Sequence, residues 1–325
     1  MTEDDTPSTR PRVRAVVVNW NGAHLLTDCL DSLTAQTWPG LEILVVDNAS
    51  VDDSLDVLAR YPAVHVLRSP RNLGFAGGVA LATQGYDGDF VVLLNNDATF
   101  EPDAVERLVT AAGDSSARIG AVTARVLLGP RDQDGPRLVN STGNLVTTRG
   151  TGGDRDWLAP AGSESTDPDV FGFCGGAALL RVPALRDAGG FDASLFLYYE
   201  DTDVSWRMRG AGWTVRYEPA AVAHHLHAAS SDEHSPLFRY YNTRNSLLVF
   251  ARHAPAAVWI RSLLRQTAAA ARSVVLAGPR DPQARARWRA LRDAVRRLPR
   301  ALTDGRRFWR RAAVGRAEVA RLLSR

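Results

Sequence analysis

The chain has 325 residues, 45% of them hydrophobic and 23% charged, which excludes a disordered, collagen-like or disulfide-framework protein. That length suits one large domain or two small ones. A formal charge of +3 conceals a division: 19 arginines stand against four acids in residues 251–325, and 20 against 32 in the first 250. Lysine is absent, so every cation is a guanidinium; a codon bias toward arginine is a simpler cause than phosphate binding. Cys29 and Cys174 are too few for a zinc cluster or a cross-linked scaffold and suit a reducing compartment.

Residues 1–12 are polar and acidic, without the apolar centre of a signal peptide, and are expected to fray. Apolar, β-branched runs at 13–18, 41–46, 64–67 and 90–94 read as buried strands. Helical spacing at 25–35, 54–59 and 76–83 lies between them, and this alternation predicts a parallel, doubly wound sheet. Ligands of such sheets sit beyond the carboxyl ends of the strands, where Asn19-Trp20-Asn21, Asp47-Asn48-Ala49-Ser50 and Asn95-Asn96-Asp97 fall. Residues 129–169 read as a long irregular excursion with short strands. Regularity returns at 171–181, followed by a helix at 200–210 and a strand at 214–218.

Beyond His253 the sequence is helical and arginine-rich. Arg261, Arg265 and Arg272 share one face opposite Trp259, Leu263, Ala270 and Val274. Arg285, Arg289, Arg292 and Arg296 then oppose Trp288, Leu291, Val295 and Leu298 until Pro299 intervenes. Arginines interrupt the most apolar stretch, 255–279, so a soluble or peripheral chain is expected rather than a membrane span.

The polar strand ends carry the candidate chemistry. Asp47 either caps a turn or accepts a hydrogen bond from the ring N–H of uracil or thymine. The segment Arg71-Asn72-Leu73-Gly74-Phe75-Ala76-Gly77-Gly78 has glycines for close backbone approach, while the GxGxxG dinucleotide fingerprint is missing after the first strand. Asp97 is either a hard-cation ligand facing a diphosphate or the cap of a helix near Glu101-Pro102. Among the acids at 200–203, Asp203 stands four residues before Arg207 and belongs to the scaffold. Glu200 and Asp201 are left for general-base work, with Asp201 taken as the base. One imidazole of His224-His225-Leu226-His227, delivered beside Asp97, would complete a cation site.

The ordered set Val16-Val17-Val18-Asn19-Trp20-Asn21-Gly22, Val45-Val46-Asp47-Asn48-Ala49-Ser50, Asn72-Leu73-Gly74-Phe75-Ala76-Gly77-Gly78, Leu93-Leu94-Asn95-Asn96-Asp97 and Gly190-Phe191-Asp192 through Glu200-Asp201 resembles glycosyltransferase family 2. Within it, Tyr240-Tyr241-Asn242-Thr243-Arg244-Asn245 is similar to the bacterial rhamnosyltransferase-like branch. The resemblance implies a Rossmann-like α/β fold of the A-type nucleotide-sugar transferases, with a mostly parallel mixed sheet over residues 13–250 and a C-terminal helical extension at 251–325. It implies an inverting single displacement that depends on Mg2+ or Mn2+.

It assigns Asp47 to the nucleobase, Asp97 and His225 to the cation, and Asp201, with Glu200 beside it, to catalysis. Asn19, Asn48, Arg71, Asn72, Gly74, Asn95, Asn96 and Arg244 fall to the nucleotide sugar, and Gly175 and Gly176 to a loop at the acceptor or donor sugar. His225 is preferred to His224 by its spacing after Asp201 and by the Ala228-Ala229-Ser230 that follows. Asn95 stands where the family's metal motif usually has an acid, so Asp97 carries more of the coordination. The donor implied is dTDP-L-rhamnose, with UDP-hexoses and galactofuranose donors behind it. The acceptor is a glycan or polyprenyl-linked saccharide of the cell envelope, used at the cytoplasmic face of the membrane.

A basic amphipathic tail on an acidic body suits an anionic leaflet. The alternative is that its Trp and Leu faces pack on the catalytic domain or on a second subunit in a homo-oligomer. A nucleotide-sensing nucleic-acid binder that uses the arginines has no base-reading motif in its favour, so no nucleic acid is expected. A sugar nucleotidyltransferase lacks its early phosphate loop.

Overall fold

The computed structural model describes residues 10–113, 116, 118–130, 135–226 and 235–324; His227 and the 228–230 stretch lie outside them, as do residues 1–9. Order begins before the first strand, because Asp89 accepts the Arg12 backbone N–H at 2.8 Å and Asp87 pairs with its guanidinium at 3.0 Å.

Strands β1 (Val13–Asn19), β2 (Glu42–Asp47), β3 (Val64–Arg68) and β4 (Phe90–Leu94) alternate with helices α1 (Ala23–Thr34), α2 (Ser54–Leu58) and α3 (Gly74–Thr83). They pair in parallel in the order β3-β2-β1-β4, so the order reverses at β1 and opens a crevice beyond the strand ends. Alternate residues face opposite layers. Ala15, Val17, Val45 and Val92 pack under α1 and α4 (Ala104–Ala112), against Leu26, Leu30 and Leu108. Val16, Val46, Val91 and Leu93 pack under α3, α5 (Val182–Asp187) and α6 (Glu200–Gly210), against Val79, Leu185 and Met208.

Beyond β4 the sheet becomes mixed. β10 (Ala177–Arg181) lies antiparallel between β4 and β6 (Ile119–Leu128), and β11 (Thr214–His225) runs parallel to β6. β5 (Ala98–Phe100) closes that edge antiparallel to β11, and β7 (Val139–Ser141) pairs with β6. The strand expected at 214–218 thus continues to His225. A register shift between Glu218 and Val222, at Pro219, carries it on, since proline cannot donate to a ladder. The irregular excursion holds β7 and a separate hairpin of β8 (Asn144–Val146) and β9 (Gly152–Asp154).

Helices α7 (Pro236–His253), α8 (Ala256–Ala277) and α9 (Pro282–Trp309) then pack together around Leu247, Leu248, Ala270, Leu291, Ala294 and Ala301. The buried stripe of α9 is made of small residues, so Trp288 and Val295, expected on the packed face, are exposed. Pro299 does not end α9 as expected; it sits on the exposed side while Ala294, Ala301 and Gly305 hold the next turns against the body. At Gly305 a Cβ would overlap the Arg252 carbonyl oxygen.

A buried ion cluster joins these helices to α6. Asp203 accepts from Arg207 Nη2 at 2.6 Å, Arg252 Nη1 at 2.7 Å and His253 Nε2 at 2.9 Å, and Arg252 also reaches Asp192 at 2.9 Å. Trp309 of α9 donates to the Arg252 carbonyl at 3.2 Å and Arg265 of α8 to the Gly150 carbonyl at 2.8 Å, so residues 251–324 are built into the same body as the sheet. No helix among the described residues is long and apolar enough to cross a membrane.

Candidate active site

The crevice is built from strand ends upward. Asn19 is fully buried, accepting a hydrogen bond from Asn96 at 2.9 Å and donating to Ser50 Oγ at 3.3 Å. Asp47 is buried as well. Its Oδ2 faces the Ser50 N–H at 3.4 Å, a weak turn contact, while its Oδ1 has no partner among the described residues.

Asn48 binds the glycine segment, accepting from Leu73 N–H at 3.3 Å and donating to the Gly74 carbonyl at 3.0 Å. Asn72 Oδ1 accepts the Gly74 N–H at 2.8 Å, folding a turn whose φ of +69° favours glycine. Glycine is needed there twice over, since a Cβ would also overlap the Phe196 backbone. The Arg71 side chain is exposed, with no partner among the described residues.

At the end of β4, Asp97 is buried with Oδ1 2.9 Å from His225 Nε2. The Asn140 amide oxygen contacts His225 Nδ1; a ring N–H donated there would leave the Nε2 lone pair for a cation beside Asp97. Adjacent ligands of an octahedral Mg2+, each at about 2.0–2.1 Å, also stand about 2.9 Å apart. The pair therefore has the spacing and donor types of two neighbouring cation ligands. No cluster of three or more such side chains exists among the described residues; Mg2+ commonly takes its remaining ligands from substrate and water. Successive residues of β11 point to opposite faces, and His224 is turned away, to Glu101 at 2.9 Å and Arg137 at 2.8 Å.

The base candidate is reached through one strap of backbone. Asn95 donates its backbone N–H to the Gly176 carbonyl at 2.9 Å, and its amide stands 3.5 Å from His225 Nε2. Gly175 donates its N–H to Asp201 Oδ2 at 3.1 Å, and Asp201 Oδ1 accepts from Thr202 N–H at 2.6 Å. Burial, and then the charge of Asp201, pushes Glu200 well above the ordinary carboxyl range. Glu200 is the interior acid of the pair, its Oε2 without a partner among the described residues, while Asp201 is partly exposed.

Asp201 follows three aromatic residues in the left-handed region, Phe196, Tyr198 and Tyr199, with φ of 67–70°. Bulky residues adopt that conformation only where the surroundings enforce it. Here the fully buried Asn245 of α7 points its amide at the carbonyls of Leu195, Leu197 and Tyr198, at 2.8–2.9 Å. The rings are held too: Phe196 stacks on Tyr241, and Tyr198 and Tyr199 meet Phe238 and Phe250 edge to face.

Arg244, expected at the diphosphate, instead bonds the carbonyls of Ser194 and Leu195 at 3.1 and 2.8 Å beneath Tyr241. The Leu195 carbonyl also accepts the Leu197 N–H at 2.8 Å, so the buried guanidinium adds a further bond to this turn.

Two residues near this centre carry no sequence signal. Asn140 orients His225. Asp154, half-buried at the end of β9, feels the Asp201 charge; desolvation, and then that charge, pushes it up to about 6. Both fall within the aperiodic stretch 129–169.

The family model described as "Glycosyl transferase family 2" matches residues 15–189. The chain belongs to that family. It is a nucleotide-sugar glycosyltransferase. The N-acetylglucosaminyl-diphospho-decaprenol L-rhamnosyltransferase of Mycobacterium tuberculosis is 30% identical over 281 residues, 78% of this chain and 87% of that protein. The pre-mycofactocin glycosyltransferase of the same species is 28% identical over 190 residues, 58% of this chain and 38% of its own length.

Among solved structures, a Pyrobaculum calidifontis mannosyltransferase in complex with GDP-Man and Mn2+ superposes with a TM-score of 0.55 at 20% identity, covering 93% of this chain and 86% of that one. S. aureus TarS gives 0.55 at 16% identity, covering 91% and 87%. These likenesses bear out the A-type fold expected for this family 2 transferase.

Proposed function

We propose that this glycosyltransferase moves L-rhamnose from dTDP-L-rhamnose, with inversion, to a hydroxyl of a polyprenyl-diphosphate-linked saccharide in cell-envelope synthesis. The carrying observation is the unbroken series of contacts Asn19–Asn96, Asp97–His225 and Asn95–Gly176, continuing through Gly175 to Asp201, around one crevice. The similarity to the mycobacterial enzyme supports both the donor and a lipid-linked acceptor. With such an acceptor, the chain works as a peripheral protein at the membrane surface.

In this reading Asp47 Oδ1 receives the ring N–H of thymine, and the 71–78 segment approaches the diphosphate through backbone. Asp97 and His225 would hold a divalent cation, Mg2+ or Mn2+, which when bound neutralises charge on the leaving diphosphate. Asp201, its two oxygens fixed by Gly175 and Thr202, takes the acceptor proton as the hydroxyl attacks the anomeric carbon from the face opposite the diphosphate. Asn140 keeps the His225 lone pair turned inward.

A thermal-shift screen of nucleoside diphosphates and their sugars, with and without Mn2+, tests the donor, since a ligand of the native state raises its stability. A shift with UDP-hexoses or UDP-galactofuranose, and none with dTDP-rhamnose, would remove the rhamnosyl assignment. Asp201→Asn should lower turnover by about 10²–10⁴-fold while retaining the nucleotide shift; near-normal transfer by that variant defeats the base assignment. Asp97→Ala and His225→Ala should weaken Mn2+-dependent donor binding, and His224→Ala should not.

A further inference from the structure

Helix α8 carries a second, exposed apolar face besides the one that packs Val258, Trp259, Leu263 and Ala270 on the body. Its inward residues are Val258, Ser262, Gln266 and Ala270, so half of its fully packed positions are polar. Outward stand Ile260, Leu264, Val275 and Leu276, exposed by 47, 64, 83 and 71%. At 100° per residue, Ile260, Leu264, Ala268, Ala271 and Val275 fall within an arc of about 80°, a stripe about 23 Å long. Arg261, Arg265 and Arg272 border it along one side. No acid occurs between Ala251 and Arg280, and the adjoining α9 exposes Arg285, Arg289, Arg292, Arg296 and Arg300.

An exposed apolar stripe edged only by guanidinium groups matches one environment, the boundary between the acyl chains and headgroups of an anionic bilayer. A second copy of the same face would bring two arginine rows together with no acid on α8 to relieve them. We infer that the outer face of α8 is the surface by which this chain seats on anionic membranes, the stripe entering the interface and the arginines meeting phosphate headgroups. The placement suits a lipid-borne acceptor. Arg261 and Arg265 donate to the carbonyls of Thr148 and Gly150 at 2.9 and 2.8 Å, in the turn of the β8–β9 hairpin whose far end is Asp154 beside Asp201.

This inference extends the reading of a lipid-linked acceptor, and its test requires no sugar transfer. The full chain is sedimented with phosphatidylcholine vesicles, with and without phosphatidylglycerol. Alongside it are run Leu264→Glu/Val275→Glu and the milder Leu264→Gln/Val275→Gln, with thermal midpoint and nucleotide shift as checks on folding and on the transferase site. Phosphatidylglycerol-dependent pelleting that salt reduces, and that the glutamate pair lowers at least tenfold, supports the surface. Equal pelleting of parent and both variants, or pelleting of none, overturns it. So does a parent dimer that the variants convert to monomer without any vesicle binding.

Discussion

Asp47 carries a buried oxygen that no group among the described residues satisfies, and leaving such an atom bare costs free energy in the free enzyme. A ligand N–H placed there gains a hydrogen bond to a charge, worth about 1.5–3 kcal/mol. Asp47→Ala should therefore weaken thymidine or uridine diphosphate by roughly 10–100-fold and narrow the preference over cytidine diphosphate, as read by calorimetric titration. Equal affinities for parent and variant would place the base elsewhere. Asp47, Asp97 and Asp201 could be picked out in the sequence because each ends or opens an element with strong periodicity. Asn140 and Asp154 could not, because the chain that delivers them has no period and their partners are far away in sequence. Arg244 shows a related limit: a guanidinium bonded to carbonyls of a turn looks, in sequence, like one facing a phosphate.

At the level of elements, the segment before α6 is held from outside by α7. Asn245→Ala would release the carbonyls of Leu195, Leu197 and Tyr198 and let the left-handed aromatic run relax, moving Asp201. A displacement of about 1 Å at a reacting group can cost about 10²-fold, so kcat should fall by about that much with donor affinity kept. Loss of donor affinity with unchanged kcat would contradict this. Strands β1 to β4 could be read from apolar runs, whereas β6, diluted by Gly120 and alanines, could not. Helix α7 also escaped, because Tyr, Asn and Thr, poor helix formers, fill its first half. Its stability comes from tertiary contacts instead. The continuation of α9 through Pro299 has the same cause, packing overriding local preference.

For the molecule as a whole, the Asp203 cluster makes stability depend on acid. Burial holds His253 down to about 4, from an ordinary 6.5. Its Nε2–H faces Asp203, and its Nδ1 is buried without a partner that could accept a second proton. Around it stand Arg207 from α6, Arg252 on its own helix, and the rings of Trp206, Phe308 and Trp309. Between pH 6.5 and 4 the unfolded chain binds a proton that the folded one refuses, so stability falls as pH falls, by at most about 1.4 kcal/mol per unit. Denaturant midpoints across that range should show the slope, and His253→Gln should flatten it; a profile identical in the two chains would sink the assignment. Because the cluster binds α7 to α6 and α9 closes over Arg252, a chain ending near Arg252 should lose cooperative melting and precipitate, rather than behave as a trimmed catalytic unit.

The β8–β9 hairpin gives this architecture a mechanical property. Its tip is gripped by two arginines of α8 and its foot stands at the reacting carboxylate, four residues and about 13 Å away. So short a ribbon has little slack, and on the reading that α8 meets a membrane a tilt of α8 would bear on Asp154. Docking and turnover would thus share one lever, and a loaded α8 could set the pace of a reaction it never touches.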